Sequence, residues 1–181
     1  MSFLERAEEY SLTEFLKGKD FVSLANVLFG LYSIYFAVQG DFFLAAVLLI
    51  SAFVADILDG KVARFLSQSN EFGKRMDMAD LISFGAAPAI FILVLYQGAG
   101  FYPNLLLHVS AICLVSAALF RLARFQTKDS DISGFVGVPT TTNGIIYPIL
   151  YFLDVGQYSI IVITFVLSFL MMSSIVIPIK D

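Results

Sequence analysis

Charge is scarce in this chain. Only 14% of its 181 residues are Asp, Glu, Lys or Arg, 59% are hydrophobic, and the mean hydropathy is +0.85. Soluble domains carry about 25% charge and about 45–50% apolar residues, so an integral membrane protein is expected. A single cysteine, Cys113, excludes an internal disulfide, and its position mid-way along an apolar run suits a small buried hydrophobe. The one histidine, His108, stands far from the acidic cluster described below, so no Ser-His-Asp arrangement is available. The N-terminal MSFLERAEEYSLTEFLKGKD is mixed and charged, and no secretory signal is expected. No period of 20–50 residues and no inverted repeat recurs, which argues against solenoids and repeat-built transporters.

What the chain does have is a stretch of acids. ADILDGKVARFLSQSNEFGKRMDMADLISFG, residues 55–85, contains Asp56, Asp59, Asp77 and Asp80. On a helix, at about 100° per residue, Asp56, Asp59, Gly60 and Ala63 fall at offsets 0, 3, 4 and 7 and share a face. Gly73, Asp77 and Asp80, at offsets 0, 4 and 7, repeat the arrangement. The Ser-Gln-Ser-Asn run between them is a turn signal, so two antiparallel helices would bring four carboxylates together beside residues with almost no side chain. One such aspartate alone would suit an ion pair or a helix cap. Four in an apolar chain repel and need positive charge. Hard divalent cations with oxygen ligands, Mg²⁺ or Mn²⁺, singly or as a pair, fit this set best, and the small residues leave room for a bulky phosphate ester.

Six apolar segments follow a loosely amphipathic stretch over 1–19 that is too polar to span and suits an interfacial helix. They cover about 20–38, 42–66, 74–97, 104–125, 135–153 and 157–177, each near the roughly 20 residues needed to cross hydrocarbon. The expected fold is therefore an all-α membrane protein: six transmembrane helices over 20–177 and a short tail at 178–181. The fifth segment is rich in Gly and Pro and reads either as a plain kink or as the wall of a cavity. Every lysine and arginine lies at the termini or near the breaks at 67–73 and 126–134. The positive-inside rule then places both termini and the aspartates at the cytoplasmic face of the cell membrane.

Asp56-x-x-Asp59-Gly60-x-x-Ala63-Arg64, eight residues, then Gly73-x-x-x-Asp77 resembles the signature of the CDP-alcohol phosphotransferase family of phospholipid synthesis. The resemblance implies a six-helix core, homodimeric, in which Asp56, Asp59, Asp77 and Asp80 hold divalent metal. It implies that Gly60, Ala63, Arg64 and Gly73 contact the nucleotide together with the aspartates, and that Asp80 is the general base. Ser23 and Asn26, in SLANVLFG, look like the polar residues this family places beside the nucleotide. The chain departs from the pattern once: two residues rather than three separate Asp77 from Asp80.

ADLISFGAAPA, RLARF at 121–125 and GFVGVPTTTNG at 134–144 resemble the serine-using members of the family. The reaction so implied joins CDP-diacylglycerol, or CDP-archaeol in an archaeal setting, to L-serine and releases CMP. Arg121 and Arg124 are the expected acceptor-binding residues, since a guanidinium fork suits a carboxylate or phosphate; membrane-end anchoring is the competing role for one of them. Another family member using glycerol phosphate or inositol phosphate is the nearest alternative. A cation or proton carrier is a distant one, and a non-catalytic scaffold another. No nucleic-acid partner is expected.

Overall fold

Turn chemistry sets where the helices end. The computed structural model describes residues 18–65, 80–98, 100–127 and 135–177, with side chains over 23–58, 80–98, 100–125 and 136–175. Helix α1 (Gly18–Val38) stops where Gly40 takes φ +85°. Asp41 then opens α2 (Phe42–Phe65) by accepting the Leu44 N–H on Oδ1 at 3.0 Å, a side-chain cap that serves an otherwise orphaned donor.

The next helix begins abnormally wide. Ile82–Ala86 form a π turn that runs into α3 (Ala87–Tyr96). Pro88 supplies the reason: it has no N–H for the Phe84 carbonyl four residues back, and its ring crowds that carbonyl. The backbone relaxes to the i→i+5 pattern, in which the Ala87 N–H reaches the Ile82 carbonyl. Helix α4 (Phe101–Thr127) follows, with Pro103 in its first turn, where a missing N–H costs nothing. Strand β1 (Phe135–Val136), a 3₁₀ turn (Thr140–Thr142), α5 (Asn143–Phe152), α6 (Gln157–Met172) and β2 (Val176–Ile177) complete the order. The two strands pair antiparallel, Phe135 opposite Ile177 and Val136 opposite Val176.

Among the described residues the architecture is thus six helices with a two-residue β ribbon. Five expected segments have their helical counterpart; the fifth is helical only from Asn143 onward. Gly137 at φ +71° and Pro139 keep its first part out of the α conformation, and that part serves as strand and turn instead. The sixth helix stops at Met172 rather than 177, because the chain there turns extended to pair with β1. Of the interfacial helix expected over 1–19, residues 1–17 lie outside the described residues, while Gly18 and Lys19 belong to the first turn of α1. The tail at 178–181 also lies outside them. Among the described residues one helix is long and apolar enough to cross a membrane by length and composition, Phe101–Phe125 of α4 with mean hydropathy 2.1. The remaining apolar helical stretches, such as Ser23–Val38 and Phe42–Leu58, run to 10–17 residues.

The core is built for close helix approach. Ala37, Ala45, Ala46, Ala87, Ala89, Ala111 and Ala117 are buried around Leu49, Phe91, Leu114 and Tyr147. Small side chains let α1 pack along α2 and α4 along α6. Buried hydroxyls are satisfied locally: Ser33 donates to the Ala45 carbonyl at 2.9 Å, and Thr164 to the Ile160 carbonyl at 2.7 Å. At one end of the bundle, edge-to-face contacts among Phe42, Phe91 and Tyr151 tie α2, α3 and α5. The opposite end carries the polar residues.

Candidate active site

Asn26 on α1 and Asp56 on α2 arrive at the same level by chain length alone. Asn26 precedes Gly40 by 14 residues and Asp56 follows it by 16. At 1.5 Å per residue they stand about 21 and about 24 Å from the turn, on antiparallel neighbours. Asp80, beside the π turn, joins them. The Asn26 Nδ2 donates to Asp80 Oδ1 at 2.7 Å, and the Ser83 hydroxyl donates to the Asn26 main-chain carbonyl at 3.0 Å. Asp80 and Asp56 are half-buried, while Asn26 is buried at 3% exposure. Its Oδ1, packed away from solvent, has no hydrogen-bond partner among the described residues.

The approach of α1 to the π turn depends on Gly30. A Cβ there would lie 2.6 Å from Ser83 Oγ and 2.8 Å from Ser83 Cα, closer than any side chain tolerates. Gly144 does the same from α5: a Cβ would meet the Phe84 ring at 2.7 Å. Residues 83 and 84 are therefore gripped from both sides, Ser83 by α1 and Phe84 by α5. Asn143, fully buried, donates its Nδ2 to the Phe84 carbonyl at 2.8 Å.

The arginines occupy the same end. Arg121, 8% exposed, points its Nη1 at the Thr140 hydroxyl at 3.5 Å. Arg124 directs its guanidinium to main-chain carbonyls: Nη2 to Val136 at 2.8 Å, and Nη1 to Ser173 at 3.2 Å and Met172 at 3.4 Å. It thereby clips the end of α4 to β1 and to the end of α6. Both arginines, with Phe120, Met171 and Met172, line a cavity of about 280 Å³.

Of the residues singled out in the sequence, the structure brings Asn26 and Asp80 into contact and gathers Asp56, Arg121 and Arg124 at the same end. Ser23 lies three residues before Asn26 on α1. Asp59, Gly60, Ala63 and Arg64 belong to α2, but their side chains lie outside the described residues, and Gly73 and Asp77 lie outside them altogether. Among the described residues no cluster of three or more His, Cys, Asp or Glu stands ready for a metal. The donor chemistry nevertheless suits a hard cation, because two half-buried carboxylates and an unpartnered buried amide oxygen are the ligand type Mg²⁺ and Mn²⁺ take.

Sequence reasoning took Thr140 and Asn143 only as members of the fifth segment beside the site and gave them, like Ser83, no role of their own. The available signal for Asn143 was Pro88, which marks a carbonyl in need of a donor from elsewhere.

The family model for CDP-alcohol phosphatidyltransferase matches residues 20–176. The chain is 34% identical over 133 residues to the CDP-diacylglycerol–serine O-phosphatidyltransferase of Helicobacter pylori, which covers 72% of the chain and 55% of that enzyme. It is 33% identical over 176 residues to the archaetidylserine synthase of Methanothermobacter thermautotrophicus, covering 94% of the chain and 73% of the relative. It is 27% identical over 163 residues to the CDP-diacylglycerol–serine O-phosphatidyltransferase of Bacillus subtilis, at 87% of each. The chain therefore spans little more than half the length of the Helicobacter relative.

Proposed function

The chain belongs to the CDP-alcohol phosphatidyltransferase family, and we propose that it transfers a phosphatidyl or archaetidyl group from a CDP-lipid to the hydroxyl of L-serine, releasing CMP. What supports this reading is that one end of the bundle carries both an oriented carboxylate, Asp80 held by Asn26, and a buried guanidinium, Arg121, which lines a cavity of about 280 Å³.

In the reaction so proposed, the serine hydroxyl oxygen attacks the lipid-linked phosphorus. The bond to the CMP oxygen breaks as the new P–O bond forms, and the hydroxyl proton passes to Asp80. Asn26 fixes the direction in which the Asp80 carboxylate faces. Asp56, Asp59, Asp77 and Asp80 are the residues that would hold one or two Mg²⁺ or Mn²⁺ ions. A bound divalent ion supplies charge at the diphosphate oxygens. Ser23, Asn26, Gly60, Ala63, Arg64 and Gly73 form the nucleotide's share of the site. Arg121 and Arg124 take the serine carboxylate, for which a planar fork is well shaped.

The same reading places the protein in the cell membrane as a multi-pass homodimer of six-helix domains over 20–177, its termini and site cytoplasmic. Supporting it, large apolar side chains are exposed on several helices, among them Phe169 at 75%, Ile112 at 66% and Phe120 at 61%. Water would penalise such a surface and lipid would not.

The deciding experiment incubates purified protein with CDP-diacylglycerol or CDP-archaeol, Mg²⁺ or Mn²⁺, and labelled serine, glycerol phosphate or inositol phosphate. CMP release with label entering lipid from serine supports the assignment. Preferential use of either phosphate ester overturns it.

A further inference from the structure

Between the carboxylate and the arginines lies a single unusual element, the π turn Ile82–Ala86. Its Ser83 side is joined to Asp80 in a closed loop: Ser83 Oγ to the Asn26 carbonyl, Asn26 Nδ2 to Asp80 Oδ1. Its Phe84 side is joined to α5 by the Asn143 amide, 59 positions away, with Gly144 admitting the Phe84 ring. Pro88 makes that long-range bond matter, since the residue that would serve the Phe84 carbonyl in an α-helix has no N–H. A buried carbonyl left unserved is costly, and a turn that Pro88 bars from closing as an α-helix would have to shift to bring that carbonyl to another donor. Such a shift would rotate Asp80 about the helix axis relative to α3.

We infer that Asn143 is a positioning residue for Asp80: by donating to the Phe84 carbonyl it holds the π turn, and the π turn holds the carboxylate against Asn26. Asn143 does not touch the reacting atoms. It acts through four or five residues of backbone, from the α5 end of the site to the α1 end. The inference rests on the proposed role of Asp80 as base, and it assigns Asn143 to orientation of that base rather than to the acceptor pocket beside it.

The test uses full-length protein in detergent or nanodiscs and whichever alcohol the unmodified protein accepts. Asn143→Leu keeps the branching and the number of heavy atoms and removes the donor, at the cost of two bulkier methyls. The expected result is a fall in kcat of about tenfold or more with KM for CDP-lipid and alcohol unchanged, together with faster amide exchange over Leu81–Ala89. Adding Pro88→Ala to that variant returns the N–H that an ordinary α-helix needs at the same carbonyl, so the π turn can close and carry Asp80 away from Asn26; no recovery of kcat is expected, and recovery would overturn the inference. The exchange readout needs no turnover, so it judges the inference even if serine is the wrong acceptor. Unchanged kcat in Asn143→Leu overturns the inference, and so does a loss confined to the alcohol KM, which would make Asn143 an acceptor ligand. Should Asn143→Leu not fold, Asn143→Ser, short of the carbonyl but polar, replaces it with the same expectations.

Discussion

Asn26 and Asp80, 54 positions apart, meet at 2.7 Å, and the amide of the first donates to a carboxylate oxygen of the second. The contact crosses from α1 to the start of the π turn, so the carboxylate is oriented by a helix other than its own. Asp80→Asn should leave this neighbourhood sterically intact while removing the proton acceptor. A positioned general base contributes about 10²–10⁴-fold. The expected outcome is a fall in kcat in that range with both substrates still bound, checked by steady-state CMP release and by equilibrium binding of CDP-lipid.

Metal dependence is predicted from the charge of the proposed site. Asp56 and Asp80 are carboxylates only partly shielded from a low-dielectric surround, and Asn26 adds an unpartnered oxygen. Chelation should abolish turnover, and Mg²⁺ or Mn²⁺ should restore it. Asp56→Asn should raise the metal concentration needed for half-maximal rate by about tenfold or more, the cost of one lost charged ligand. Full activity in the presence of excess chelator would refute the metal site.

The glycine grip on the π turn predicts a stability effect with a functional trace. Gly30→Ala would press a methyl onto the Ser83 backbone, which cannot swing aside as a flexible side chain can. Overpacking of this kind costs about 1–3 kcal/mol. Gly144→Ala meets the Phe84 ring at 2.7 Å and Phe53 Cβ at 3.2 Å and should cost a similar amount. Thermal unfolding in detergent measures the loss, and kcat should fall in both variants because the displaced residues neighbour Asp80. Gly156→Ala, where a Cβ would meet nothing within 4 Å, serves as the neutral comparison.

Helix positions were legible in the sequence because apolar run length and turn residues act locally. The stops at Gln39-Gly40-Asp41 and Asp154-Val155-Gly156 fall where the helices end, and α2 begins at Phe42 as expected. The fifth segment was read from its apolar content, whereas Gly137 and Pro139 decide its backbone; composition alone does not reveal that its first residues find strand partners at Val176–Ile177. Asp80 and Asn26 were each legible as site residues but not the bond between them, since nothing at residue 26 announces a partner 54 positions away. The π turn was hidden for a different reason. Its cause, Pro88, sits inside a run that by apolarity is plain helix, and its stabiliser, Asn143, lies on another element.

The last prediction concerns the two arginines, which the sequence presents alike and the structure does not. Arg124 gives its guanidinium to the carbonyls of Val136, Met172 and Ser173, so it closes the end of the bundle as well as lining the cavity. Arg121 is buried and has a long contact, 3.5 Å, to the Thr140 hydroxyl, a geometry at the outer limit of a hydrogen bond. Its guanidinium also lines the cavity, where a planar fork suits the serine carboxylate of the proposed reaction. Arg121→Ala should therefore raise the serine KM sharply, by about tenfold or more, with CDP-lipid affinity unchanged, since the loss of a charged hydrogen bond costs about 1.5–3 kcal/mol. Arg121→Lys should recover only part of this, because a point charge cannot reproduce the fork. Arg124→Ala should instead lower thermal stability by about 2 kcal/mol and speed amide exchange at Phe135–Val136 and Val176–Ile177, with any rise in serine KM accompanying that loosening. Serine titrations on the three variants, read beside their unfolding curves, separate the roles. If Arg121→Ala uses serine normally, the carboxylate is read elsewhere, and the acceptor assignment to this cavity fails while the Asp80 geometry stands.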